Sequence, residues 1–215
     1  MKLNIKSLLP LILIFGVSLQ SNLGAAASHG LAKGLAEKLI IALLELGYTS
    51  KALKLINGSS PDELNTVVDE IDMTPDEILE VGATPLVYAI NRESPELEII
   101  NTLIVRGARV DACDNEGETP LHIAACRLNK SIIEILLRHG AGVNVRNNNG
   151  ETPLACAVLA CAVFLSMRGP GFIESIKLLI AAGADVNIPD DKGRTPLYYA
   201  CRTKNIALIN MLYAT

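Results

Sequence analysis

The sequence has no tryptophan, and aromatic residues make up only 4% of its 215 positions. That leaves little material for a platform on which unpaired nucleic-acid bases stack. Positive charge is also not in excess. Nineteen Lys and Arg stand against 23 Asp and Glu, a formal net charge of −4, so no broad basic face is available to a phosphate backbone. Five cysteines are too few for a disulfide scaffold, and their number is odd. There is no C-x-x-C pair; Cys156 and Cys161 are the closest two. His29, His122 and His139 have no metal-ligand spacing with one another or with acidic residues. No phosphate loop, nucleophile elbow, dinucleotide fingerprint or calcium loop is present. The residues therefore predict no enzyme, no cofactor and no metal site. Half of the residues are apolar, which suits a chain that buries a real core rather than a disordered one.

Residues 1–27 read as a targeting segment. Lys2 and Lys6 give a positive start, residues 7–19 an apolar stretch, and Ala25, Ala26 and Ala27 the small residues a signal peptidase requires. The apolar stretch is shorter than the ~20 residues of a spanning helix and contains Pro10 and Gly16. The expectation is cleavage near Ala27 and export to the periplasm or the exterior. An uncleaved anchor is the alternative, and would make the protein a membrane-tethered adaptor.

Thr-Pro-Leu occurs at 84–86, 119–121, 152–154 and 195–197, each preceded two residues earlier by Gly82, Gly117, Gly150 or Gly193. Gly-Ala follows at 107–108, 140–141 and 183–184, and the Thr-to-Thr spacings are 35, 33 and 43 residues. In the unit 114–146, Asp114 to Gly117 predicts a tight turn. Thr119 is placed to cap a helix whose first position is Pro120, where a missing N–H costs nothing. Leu121, Ala124 and Ala125 predict an inner face that lets a neighbouring helix approach. Ile133, Leu136 and Leu137 line a second helix, which Gly140 ends in a left-handed conformation. Val143 is expected to return to the core.

This pattern, G-x-T-P-L…A-A…L-L-x-x-G-A at a period of 33, resembles the ankyrin repeat over residues 80–215. The resemblance implies an all-α solenoid of stacked antiparallel helix pairs with β-hairpin fingertips. Its units are 80–113, 114–146, 147–189 and a truncated 190–215. The third carries a ten-residue insertion, in which residues 155–167 are expected to lengthen the first helix and 169–171 to turn the chain back. Val163, Phe164 and Met167 would then pack over neighbouring helices or form an apolar patch that a partner covers. Residues 28–79 read as a helical N-terminal cap or a degenerate repeat, with Leu35, Leu39, Leu43 and Leu46 at helical spacing and helix starts at Ser60-Pro61 and Thr74-Pro75. The usual His after Thr-Pro-Leu appears only as His122, and a structural role bonding neighbouring turns is expected of it. The cysteines are expected as small core filler.

The same resemblance, to a family whose bacterial members include exported proteins, implies a non-enzymatic module, probing a protein partner through its concave face. By the family's pattern the contact positions are Asn115, Glu116, Glu118, Arg127, Arg146, Asn148, Asn149, Glu151, Asp191, Lys192, Arg194 and Arg202. Their mixed charge suits a polar protein surface and not nucleic acid, and a monomer is expected. A competing reading places an accessory activity in residues 28–80.

Overall fold

The computed structural model describes residues 40–64 except 45, 46, 48, 60 and 63, and residues 84–164, 171–203 and 205–214. The targeting segment, the helix start at Thr74 and the loop containing Met167 lie outside the described residues, as do the side chains of Val163 and Phe164. The chain divides into two compact units, Met1–Arg109 and Val110–Thr215.

In the first unit, residues 40–44 are helical, followed by α1 (Thr49–Gly58), α2 (Pro85–Asn91) and α3 (Leu97–Val105). Both α1 and α2 pack against α3. Ile40, Ile41, Leu44, Ile56, Leu86, Ile90, Ile100 and Leu103 are fully buried together with Leu64. Thr84 caps α2 by accepting the Val87 amide at 3.3 Å, with Pro85 at the first position. Two polar links tie α1 to the α2–α3 pair: the Thr49 hydroxyl donates to Glu96 at 2.9 Å, and the Arg106 guanidinium donates to the Ser59 carbonyl at 3.2 Å.

The second unit contains α4 (Pro120–Cys126), α5 (Lys130–Arg138), α6 (Pro153–Phe164), α7 (Gly171–Ala181), α8 (Pro196–Thr203) and α9 (Ile206–Tyr213). First helices pack on first helices, α4 on α6 and α6 on α8, while α5 packs on α7. Each first helix also meets its own second helix. The sequence dictates this: Leu121, Ala124 and Ala125 of α4 and Ala157 and Val158 of α6 are fully buried, and the small side chains allow close approach. Ile132, Ile133 and Leu136 fill the α5 side, and Ile176 and Leu179 the α7 side. Leu137 and Val143, expected in the core, are only half-buried. Ile132 and Ile135 are buried on α5 instead.

Helix ends repeat as closely as helix starts. Gly140 has φ +83° and its amide donates to Leu137, while Ala141 donates to Leu136; Gly183 and Ala184 do the same with Ile180 and Leu179. These bonds satisfy the carbonyls that a helix terminus leaves open. α6 is 12 residues long against seven for α4, so the inserted residues do lengthen the first helix. Gly171, expected in the following turn, is instead the first residue of α7.

The fingertips are turns and not β-hairpins; among the described residues there is no strand. Two backbone bonds close each of them, at 2.9–3.1 Å: Asp114 N–H to Glu118 and Gly117 N–H to Asp114, Asn147 N–H to Glu151 and Gly150 N–H to Asn147, and Asp190 N–H to Arg194 and Gly193 N–H to Asp190. Bonds confined to the turn itself do not make a ladder. Gly117 and Gly150 (φ +74° and +76°) complete two of these turns, and a methyl group on either would collide with the next turn, at Asn148 and Asp191 respectively.

Gly140 and Gly150 therefore separate two costs. Gly140→Ala meets only the left-handed backbone penalty, about 1–2 kcal/mol, because nothing lies near its added carbon. Gly150→Ala incurs the same penalty plus a clash with Arg146 and with the backbone of Asp191. Urea unfolding of the two variants is expected to show the larger loss at Gly150, by at least about 1 kcal/mol.

Candidate functional site

All twelve predicted contact residues lie in the second unit, on or beside the three turns 114–118, 147–151 and 190–194, at the end of α4 or on α8. Each turn opens with an Asp or Asn whose side chain shapes it. Oδ1 of Asp114 accepts the amides of Glu116 and Glu118, Oδ1 of Asn147 those of Asn149 and Glu151, and Oδ1 of Asp190 those of Lys192 and Arg194, at 2.8–3.0 Å. This side-chain mimicry of a backbone turn is why Asp and Asn occupy the position.

Successive turns are then bonded to each other. The Asn148 amide donates to the Glu116 carbonyl at 2.9 Å, and the Asp191 amide to the Asn149 carbonyl at 3.0 Å. The Asn148 side chain adds a bond to the Asn115 carbonyl at 2.8 Å. Arg146 reaches across to Asp191 at 2.9 Å, and its guanidinium also donates to the carbonyls of Gly150 and Pro189. A second set of rungs lies nearer the helix ends. Gly142 donates to Asp111, and Asn144 both donates to the Gly183 carbonyl and accepts the Asp185 amide.

His122 carries the structural role expected of it. Its ring is fully buried, Nδ1 accepts the Thr119 amide at 3.1 Å and lies 2.8 Å from the Thr119 hydroxyl, and Nε2 lies 3.0 Å from the Glu151 carbonyl. With Nδ1 accepting from the backbone, the proton sits on Nε2 and is donated to Glu151. The ring thus caps α4 and fastens it to the next turn. Burial holds its pKa below 6.5, partly countered by the Glu151 carbonyl.

A polar knot closes the last turn. The Asp190 side chain is fully buried; Oδ2 accepts the Arg194 guanidinium at 2.7 Å and the Tyr199 hydroxyl at 2.6 Å. Tyr199 also reaches Glu151 at 3.4 Å, and the Arg194 guanidinium lies over its ring at 5.1 Å. Burial alone would raise the Asp190 pKa, but the bonds from Arg194, Tyr199 and two backbone amides outweigh it and hold the carboxyl far below the usual range. Burial and the bond to Asp190 push the Tyr199 hydroxyl up. Neither Asp190 nor Tyr199 was among the predicted site residues. Their signal was a turn Asp and a Tyr where the preceding repeat has Cys156, too little to imply a bond.

The predicted residues thus fall into two kinds. Arg146, Asn148 and Asp191 use side chains to join turns to one another, the Glu151 side chain meets Asn147 of its own turn and Tyr199 of α8, and Arg194 braces its own turn through Asp190. Asn115, Glu116, Asn149 and Lys192 enter the bonded row through backbone atoms and leave exposed side chains. Arg127 is half-buried just after α4 and Arg202 exposed on α8; Glu118 is half-buried beside the first turn. Of the cysteines, Cys156 and Cys161 are the buried filler expected, whereas Cys113 and Cys201 are exposed. Their helix and turn positions face outward, away from the apolar face.

Two titrations should mark these contacts. Unfolded His122 takes a proton near pH 6.5 and folded His122 resists it, so the unfolded state binds more protons below that pH. Stability is full above pH 6.5 and falls as the pH drops through the folded value. For Asp190 the contribution is full above pH 3.8 and is lost as the pH falls toward its depressed folded value. Urea midpoints measured from pH 8 to pH 3 should show both declines, and His122→Ala should remove the first while retaining the second.

With this geometry in place, the comparisons with known proteins are specific. A family model for ankyrin repeats in three copies matches residues 86–169, and one for ankyrin repeats in many copies matches residues 168–212. No curated protein matches the chain.

Proposed function

Because residues 86–212 of this chain are ankyrin repeats, a motif that generally mediates protein–protein interaction, we propose that the protein is a non-enzymatic module that binds a protein partner through its turns and first helices. The observation that carries the reading is the division of labour within the turns. Inter-turn bonds fix the backbone, so the side chains of Asn115, Glu116, Asn149 and Lys192 are presented to solvent on a row that is already ordered. A preorganised row costs little entropy on binding. Across the twelve positions, acids, bases and amides are interspersed, which suits a polar protein surface better than a phosphate backbone.

The proposed partner meets the module outside the cytoplasm. Support for that comes from residues 1–27, with Lys2 and Lys6 ahead of an apolar stretch and Ala25 to Ala27 at its end. Among the described residues no helix is long and apolar enough to cross a membrane.

Two measurements test these two statements separately. The triple variant Glu116→Ala, Asn149→Ala and Lys192→Ala should weaken a partner isolated with the full chain at least about tenfold, with thermal stability nearly unchanged, since surface substitutions away from the fold's bonds usually cost under ~0.5 kcal/mol. Unaltered affinity would remove the turn row as the binding surface. Arg146→Ala is the contrasting variant, expected to lower stability because it strips two bonds to the next turn and one within its own. The intact mass of the protein from fractionated native cells should begin at Ser28 and appear in a soluble envelope or external fraction; full-length protein in the cytoplasm would contradict export.

A further inference from the structure

Repeat stacking places three side chains with metal-binding atoms together between two adjacent repeats. Glu118 precedes the Thr119 cap, Cys126 is the last residue of α4, and Cys156 is in the first turn of α6. A carboxylate oxygen of Glu118 and the sulfurs of Cys126 and Cys156 all lie within 4.8 Å of one another. The two sulfurs come from helices that pack directly, at positions seven residues after Thr119 and four after Thr152. Those positions are one helical turn apart, so stacking sets them obliquely side by side.

We propose that Glu118, Cys126 and Cys156 form a binding site for a thiophilic divalent cation of the zinc type, with three protein donors and one further coordination position. Donors around tetrahedral zinc, with Zn–S near ~2.3 Å and Zn–O near ~2.0–2.2 Å, are separated by roughly 3.5–3.8 Å. The three donors therefore need only small side-chain adjustments to close on an ion. Two thiolates select zinc over magnesium or calcium, which prefer sets made of oxygen. The burial pattern fits: Cys156 is buried, and Cys126 and Glu118 are half-buried, so the pair of sulfurs is shielded while one side remains open.

A divalent cation is the natural counter-charge for two sulfurs and a carboxylate gathered at one point. Binding is then an exchange: the cation takes two thiolates and one carboxylate, and the two thiol protons pass to solvent. No oxidation occurs and the product carries a net charge of −1. Because the donors come from consecutive repeats, the ion would brace α4 against α6.

The test uses the reduced full-length chain titrated with cobalt(II), followed by displacement with zinc. The expected result is one equivalent bound with sulfur-to-cobalt charge-transfer absorption, two protons released per ion in weak buffer, and a higher unfolding temperature with zinc. Cys126→Ser, at a half-buried site where folding is expected to survive, should abolish the absorption. Glu118→Gln should weaken binding by at least about tenfold, no less than the loss of an outer-shell partner. Cys161→Ser and the exposed-site variants Cys113→Ser and Cys201→Ser should bind as the parent does. No thiolate absorption at stoichiometric cobalt would overturn the proposal, as would full affinity in Cys126→Ser. A chain isolated with Cys126 and Cys156 joined as a disulfide, which after reduction binds no metal, would also overturn it and assign the pair to redox chemistry.

Discussion

Two backbone hydrogen bonds, from Asn148 to the Glu116 carbonyl and from Asp191 to the Asn149 carbonyl, join turns that a whole repeat separates in sequence. The second unit is organised around them. A single turn and helix pair of this kind cannot bury its own apolar face, so each repeat is stable only against a neighbour. The inter-turn bonds set the distance and rotation at which that neighbour docks. Small residues at Ala124, Ala125 and Ala157 then make the spacing possible, and His122 and Asn148 make it specific. The requirement for Gly117 and Gly150 follows, since the next turn occupies the space a side chain would need.

Much of this was legible in the sequence because it recurs. Thr-Pro at four positions marked the starts of the first helices, and Gly-Ala marked the ends of the second ones. His122 was legible as a turn-bonding residue because it stands where the repeat pattern has its usual His after Thr-Pro-Leu, and both ring nitrogens do find partners within one repeat of it. The fingertips were over-read as hairpins, because turn residues do not reveal how many backbone pairs flank them. The Asp190, Arg194 and Tyr199 knot was not legible either. Only the fold brings a tyrosine of the next helix onto a buried turn carboxylate. Nor was the Cys126–Cys156 neighbourhood, since the linear separation of thirty residues hides an adjacency visible only with the repeat period removed.

The candidate binding row and the fold's own bonds share residues, and this shapes what the surface can do. Side chains that join turns, such as Arg146 and Asp191, are constrained by their rungs, and an exposed ion pair of that kind adds little stability by itself. Glu116, Asn149 and Lys192, which enter the row through backbone atoms, present exposed side chains whose substitution costs the scaffold little. A partner surface would be written in the second group and held in place by the first. Charge of both signs along the row favours discrimination between partners over indiscriminate attraction.

The claim on which all of this rests is that the turns are locked to one another and not loosely tethered loops. Native-state hydrogen exchange at the Asn148 and Asp191 amides measures it directly. The account predicts protection comparable to the buried helical amides of α4 and α6, lost only when the 110–215 unit opens as a whole. Exchange of these two amides at the rate of exposed loop residues, with the helices still protected, would contradict it.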